Sequence, residues 1–451
     1  MIEIIPIETP SLGDRSYLAT DGTVAVVIDP QRDFDRVLSV AAERGVRITH
    51  VAETHIHNDY VTGGLALARA AGAGYLVNAD DSVAFDRTPV RDGDVITTGD
   101  LRLRVIHTPG HTFTHLSYAV EDATTGEPAG VFTGGSLLFG STGRPDLLGA
   151  EHAETLARHQ YASAHRLAQE LPGATGVFPT HGFGSFCSAT QAEGLASTIA
   201  AEARRNPVLT DDEESYVAGL LAGLVAYPAY YAHMGPANAA GPGAPDLSPP
   251  HLADPAEIRR RIEAGEWIID LRDRRAFAAG HLQGTLNIGL DGSFVTYLGW
   301  LIPWDAPVTL LAESPEDVAA AQRDLARIGI EPPAAMATGG PARWGGGRPS
   351  ASFRRATFSD LGAARRSADA PYVLDVRRDD ERAEGYLDGS AHIPLHRLLD
   401  RIGEVPPDRT VWVHCAAGYR AAIAASLLTR AGRTVVLVDD AYANVVAAKA
   451  A

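Results

Sequence analysis

Cysteine is nearly missing from this chain. Cys187 and Cys415 are the only two in 451 residues and lie far apart. That excludes a disulfide framework and points to a reducing compartment, the cytoplasm. There is no basic excess either: the formal charge is −17, with the acidic residues spread along the chain. A nucleic-acid or anionic-membrane partner would need a basic face and is not expected. No window approaches the roughly 18–20 apolar residues of a membrane span. The opening "MIEIIPIETP" lacks the basic start, apolar stretch and cleavage site of a signal peptide. What is present is a hydrophobic fraction of 45%, ample for sizeable cores. The length predicts about two to four domains.

The first 190 residues alternate strand-like and helix-like patterns. "SYLATDGTVAVVIDP" reads as two strands joined at Asp21-Gly22, and "DFDRVLSVAAERG" as a helix that stops at Gly45. "RITHVAETHIHNDY" runs as a strand into a loop. Helical patterns continue to about Met234, and "GPANAAGPGAPDLSPP" (235–250) reads as a linker. The remainder contains a repeat. "IIDLRDRRAFAAGHLQGTLNI" (268–288) aligns without a gap with "VLDVRRDDERAEGYLDGSAHI" (373–393). Asp270 matches Asp375, Arg272 matches Arg377, and Gly280 matches Gly385. A second linker, "GGPARWGGGRPSAS", separates the copies. The boundaries expected are 1–234 for the first domain (core 1–190), then 251–345 and 355–451 for two similar α/β domains.

Chemistry concentrates in two places. In "ETHIHNDYVTGG" (53–64), His55, His57 and Asp59 alternate just past a strand and can converge on one metal ion. His111 in "HTPGHTFTHLSY" and His181 in "PTHGFGSF" add imidazoles at wide spacing. In "TVWVHCAAGYRAAIAASLLTRAG" (410–432), a strand ends at Cys415 and a helix follows, with Gly418 giving the loop its freedom. A sulfur there faces backbone N–H groups and a positive helix end, and Arg420 adds a fixed charge. Both favour an anionic sulfur or persulfide. Cys187, in the loop after His181, reads as a small hydrophobe more readily than as a reactive thiol.

"THIHNDY", "HTPGHTFTHLSY", "FTGGSLLFGSTGRPDL" and "PTHGFGSF" together resemble the metallo-β-lactamase fold, closest to its persulfide dioxygenases and glyoxalase II-like hydrolases. The resemblance implies an αββα sandwich with a metal site at one edge. The chain departs from the family at Tyr60, where relatives carry a further His. It departs again at Gly135, where they carry an Asp that bridges two metals or completes a two-His, one-carboxylate iron site. His55, His57 and His111 match the surviving three-histidine half, which implies one metal, iron or zinc, or none at all. Asp59 and His181 fall on the vacated side, with Asp59 a candidate base and both less certain ligands. Tyr60 is a candidate hydrogen-bonding contact there. Arg144 matches a position that binds the thiol carrier, although a pair with Asp146 is equally open.

The cysteine loop and the paired "DxR…G…G" segments resemble rhodanese-type sulfurtransferases, in which the Cys carries sulfane sulfur. In the first copy Glu313 stands about where Cys415 stands in the second, which excludes persulfide chemistry there. The fold expected is thus an αββα metallo-β-lactamase sandwich followed by two rhodanese-like α/β domains. Three functions follow. The first is an enzyme of persulfide metabolism acting on a small thiol such as glutathione, with Cys415 and Arg420 in the sulfur-carrying loop. The second is a three-His zinc hydrolase of thioesters or related esters. The third is a metal-free first domain beside an active Cys415. A homo-oligomer is compatible with all three.

Overall fold

The computed structural model describes residues 2–189, 194–290, 293–347, 350–367 and 369–445. It divides into two compact units, Met1–Asp246 with Leu325–Gly329, and Leu247–Asp324 with Ile330–Ala451.

In the first unit, β1 (Glu3–Thr9), β2 (Asp14–Thr20) and β3 (Val24–Ile28) form an antiparallel meander. Asp21 closes the β2–β3 turn by accepting the N–H groups of Thr23 and Val24, as an Asp-Gly hairpin predicts. Then β4 (Arg47–Ala52), β5 (Gly74–Asn78) and β6 (Thr88–Val90) add in parallel. A second sheet holds β7 (Val95–Thr98), β8 (Leu101–His107), β9 (Leu116–Asp122), β10 (Pro128–Gly134), β11 (Gly176–Pro179) and β12 (Ser197–Thr198) in sequential order.

Alternation along these strands builds a four-layer sandwich. Tyr17, Val26 and Leu76 of the first sheet join Leu103, Val105, Tyr118 and Phe132 of the second in one buried core. The outer face of the first sheet packs Leu18, Val27 and Val51 against α1 (Asp35–Arg44) and α2 (Gly64–Ala71). Helix α1 buries Val37 and Ala41, one turn apart, and ends at Gly45, whose φ of 65° suits glycine. The second sheet's outer face packs Val131 and Val177 against α3 (Ala153–Glu170) and its neighbours α4 (Ile199–Arg205), α5 (Pro207–Thr210) and α6 (Glu213–Ala222).

The segment 235–250 is not all linker. Helix α7 (Tyr231–Ala240) runs through its first part and buries Asn238, and the first unit extends to Asp246, inside the expected linker. The reason is a polar side chain with three partners, described below, in a stretch whose composition reads as flexible.

The second unit contains two parallel sheets. One orders its strands Leu286–Asn287, Trp267–Asp270, Val308–Ala312, Ala335–Thr338. The other orders them Arg354–Ala356, Val435–Val438, Val411–His414, Tyr372–Asp375, Ala391–His392. The sequence repeat has a physical meaning. Arg272 forks Asp270 at 2.7 Å and donates to the carbonyl of Gly280 at 2.9 Å. Arg377 does the same to Asp375 and Gly385, both at 2.8 Å. Each arginine ties a strand end to the segment returning from the following helix. The stretch read as a second linker also holds a short helix, Pro341–Trp344, whose Trp344 is buried.

Candidate functional site

Five histidines meet at one edge of the sandwich. His55 and His57 follow β4, His111 and His115 lie between β8 and β9, and His181 follows β11. All are 2% exposed or less. Ring centroids stand 4.0 Å apart for His55–His57, 4.8 Å for His55–His111 and 5.3 Å for His111–His181.

Four of the rings are oriented by a partner on one nitrogen, and His115 is held on both. His57 Nε2 faces Tyr60 Oη at 2.9 Å, Asp29 Oδ1 at 3.2 Å and Glu53 Oε2 at 3.4 Å. His181 Nδ1 meets Asp14 at 2.9 Å and Asp59 at 3.1 Å. His111 Nδ1 meets the Arg144 carbonyl at 2.8 Å, and His55 Nδ1 meets Thr54 Oγ1 at 2.9 Å. His115 bonds Thr108 Oγ1 at 3.0 Å and accepts the Gly135 N–H, also at 3.0 Å.

These partners set the charges. Burial by itself would lower His57, but Asp29 and Glu53 overcome it and hold the group at about 9. His181 is raised to about 10 against the same burial, by Asp59 and Asp14. Burial and the charge on His181 push His111 down to about 3, and burial first among several causes lowers His55 and His115. Asp14 is raised to about 7 by burial and by Asp59.

The other nitrogens face inward. His57 Nδ1 and His111 Nε2 are buried and make no hydrogen bond within the chain, like Asp59 Oδ1 and Asp14 Oδ2. His181 Nε2 stands 3.4 Å from His55 Nε2. A ring fixed through one nitrogen, with a bare buried nitrogen on the other side, is the donor set a metal ion takes. The residues therefore fit a metal. Among the described residues, His55, His57 and His181 have ligand atoms all within 4.8 Å of one another, as do His111, His181 and Cys187. The expected set His55, His57, His111 is not one of these groups. At Gly135 a Cβ would fall 2.3 Å from His111 Cδ2, so the bare glycine leaves room for that ring. His181, expected as a lesser ligand, belongs to both groups.

Other expected residues fall differently. Tyr60 is fully buried and stacks on His57 with centroids 4.3 Å apart, so it orients that ring instead of contacting a substrate. Arg144 is buried too. It forks Asp146 at 2.7 Å and donates to the Phe186 and Val225 carbonyls, which leaves no free face for a thiol carboxylate. Asp59 sits beside His181, where a base or an orienting group would stand, and also accepts from Ser185 Oγ at 3.2 Å.

Sequence reasoning missed Asp14, Asp29, Glu53 and Asn238. Asp29 had a signal, an acid closing the apolar run "VAVVI". Asn238 had none: its amide donates to the carbonyls of His57 and Tyr60, and its oxygen accepts from Thr62, each at 2.8 Å.

In the second unit, Cys415 follows the strand Val411–His414 and precedes the helix Tyr419–Arg430. Cys415 is 2% exposed, and its Sγ accepts the Gly418 N–H at 3.1 Å. Gly418 has a φ of 93°, which lets the loop fold back on the sulfur. Arg420 is not free beside the sulfur but forks Glu381 at 2.5 and 2.6 Å. Glu313 follows the strand Val308–Ala312 at the matching place in the other sheet.

Comparison with known proteins gives the same two halves. Residues 359–448 match the model of the rhodanese-like domain. Human mitochondrial persulfide dioxygenase ETHE1 is 29% identical over 208 residues, covering 46% of this chain and 72% of its own length. The Bos taurus protein is 31% identical over 209 residues, with the same two shares. The solved metallo-β-lactamase of Staphylococcus aureus subsp. aureus COL superposes with a TM-score of 0.68 at 28% identity, over 75% of this chain and 99% of that one. The sandwich with its edge of histidines, the degree of likeness to the bovine enzyme and the matched C-terminal segment lead to one conclusion: the chain belongs to the persulfide dioxygenase family of metallo-β-lactamase-fold proteins and carries a C-terminal rhodanese-like domain.

Proposed function

We propose that this chain is an enzyme of sulfane-sulfur metabolism that acts on the persulfide of a small thiol such as glutathione and carries sulfur on Cys415. The observation that carries this reading is the Cys415 loop, where a sulfur at a strand end receives the Gly418 N–H at a helix start. Such a loop stabilises the anionic forms that sulfur transfer needs. The Cys415 thiolate attacks the outer sulfur of a donor such as thiosulfate. One S–S bond forms, the donor's S–S bond breaks, and sulfite leaves with the bonding pair. A thiol or cyanide then removes the outer sulfur and regenerates the thiolate.

In the first domain His55, His57 and His181, with His111 beside them, would hold the metal. Iron bound there would supply oxygen activation. Asp59, Asp14 and Asp29 orient the imidazoles and balance their charge, and Tyr60 and Asn238 fix the loop that presents them. A second reading, hydrolysis of a thioester by zinc, is favoured by the wholly imidazole His55–His57–His181 group, a ligand type that suits zinc and its water.

Thiocyanate formation from thiosulfate and cyanide tests the carrier role. The wild-type chain is expected to produce it and Cys415→Ser to lose it. Activity that persists in the variant refutes the role. Oxygen uptake with glutathione persulfide, lost in His111→Ala, is expected of the persulfide reading. Thioester cleavage without oxygen uptake selects the second.

A further inference from the structure

Cys187 is the only cysteine besides Cys415 and is fully buried six residues past His181. Its Sγ, a His111 nitrogen and a His181 nitrogen all lie within 4.8 Å of one another. The rings are turned for this. His111 Nδ1 is held by the Arg144 carbonyl, which leaves Nε2, and that buried atom has no hydrogen-bond partner. His181 Nδ1 is held by Asp14 and Asp59, which leaves its Nε2. The Cys187 backbone is fixed on both sides: its N–H donates to Ser185 Oγ at 3.1 Å and its carbonyl accepts from the Arg144 N–H at 2.8 Å. An orphaned buried imidazole nitrogen is unfavourable unless something binds it.

We propose that His111, His181 and Cys187 form a site for one borderline-soft divalent cation, of the class of Zn²⁺. In it the Cys187 thiolate supplies the negative ligand that Gly135 cannot. His55 Nε2 lies 3.4 Å from His181 Nε2 but groups with His57 and His181, apart from His111 and Cys187. Binding breaks the S–H bond of Cys187 and the Nε2–H bond of the His181 imidazolium, forms the metal–sulfur and metal–nitrogen bonds, and releases both protons to solvent. Both groups of three use His181, so the Cys187 site and the His55–His57–His181 set named above are alternatives for one ion, and the titration below decides between them. The site stands apart from the Cys415 reading, and neither fails with the other.

The test is Co²⁺ titration of the chelator-stripped full-length chain. Because only two cysteines are present, the source of any thiolate signal is a binary choice. Expected is one equivalent bound with a sulfur-to-cobalt charge-transfer absorption. That absorption persists in Cys415→Ser and disappears in Cys187→Ser, with affinity weakened at least about 10-fold, the loss seen even for partners of a ligand. Bound cobalt without the absorption, or an absorption that follows Cys415, overturns the site. Binding unchanged in Cys187→Ser but lost in His57→Gln also overturns it, because the ion then belongs to the other group. Zinc-edge X-ray absorption of the loaded Cys415→Ser chain needs no change at position 187. One sulfur at about 2.3 Å is expected, and a shell of nitrogen and oxygen alone refutes the proposal.

Discussion

At Gly135, the missing side chain does more than remove a ligand. The His111 ring occupies the volume a Cβ would need, at 2.3 Å from Cδ2 and 2.6 Å from Cγ. Putting the acid back therefore cannot by itself rebuild a two-His, one-carboxylate site. Gly135→Ala is expected to destabilise the first unit by about 1–3 kcal/mol through overpacking, read as a lower denaturation midpoint. Gly135→Asp is expected to lose stability likewise and to gain no metal affinity, which a Co²⁺ titration beside the wild type checks. The lost ligand was legible in the sequence, because a residue type either has a donor atom or lacks one. The ring that fills its place was not, since His111 and Gly135 meet only through the packing of two loops.

Among the elements, the strand–loop–helix around Cys415 was the easiest to read and the Asn238 helix the hardest. The loop's parts are neighbours in sequence: an apolar strand, a sulfur, a glycine with positive φ and a helix. Its outer wall is not local. A Cβ on Gly418 would fall 2.4 Å from Asp439 Oδ1, a carboxylate that Arg274 Nε holds at 2.7 Å. Gly418→Ala is thus strained twice, by about 1–2 kcal/mol from the backbone alone and by the clash. Sulfur transfer in that variant is expected to fall on the order of 100-fold in kcat, the effect of an atom misplaced by about 1 Å. Near-normal kcat would show that the loop tolerates another shape. Helix α7, by contrast, contains glycine and proline and reads as linker. What keeps its Asn238 in place is three hydrogen bonds to residues 57–62.

For the whole first unit, the histidine cluster makes stability depend on pH from both sides. His57 sits at about 9 when folded, against an ordinary 6.5. Its contribution is complete below 6.5 and is lost as pH rises through about 9. His181, raised to about 10, acts in the same direction. His111, at about 3, is neutral when folded and takes up a proton on unfolding below 6.5, so its contribution is lost as pH falls. His55 and His115, also lowered, reinforce the acid side. Metal-free protein is expected to have its highest denaturation midpoint near pH 6.5 and to weaken in both directions. A midpoint that rises steadily from pH 6.5 to 9 would contradict the ion pairs of His57 and His181.

The sequence by itself determined the alternation of strands and helices in the first unit, the repeated Asp–Arg–Gly pattern, the residue types available to a metal and the Cys415 loop. All of these follow from periodicity, turn chemistry or side-chain identity within about 20 residues. Only the tertiary structure decided which nitrogen of each imidazole is held and which is bare, that Arg144 is taken by Asp146, and that Cys187 joins His111 and His181. Those outcomes depend on pairs such as His181 and Asp14, 167 residues apart. Burial makes such partners decisive, because a polar atom that cannot reach water must be satisfied by whatever the fold brings beside it.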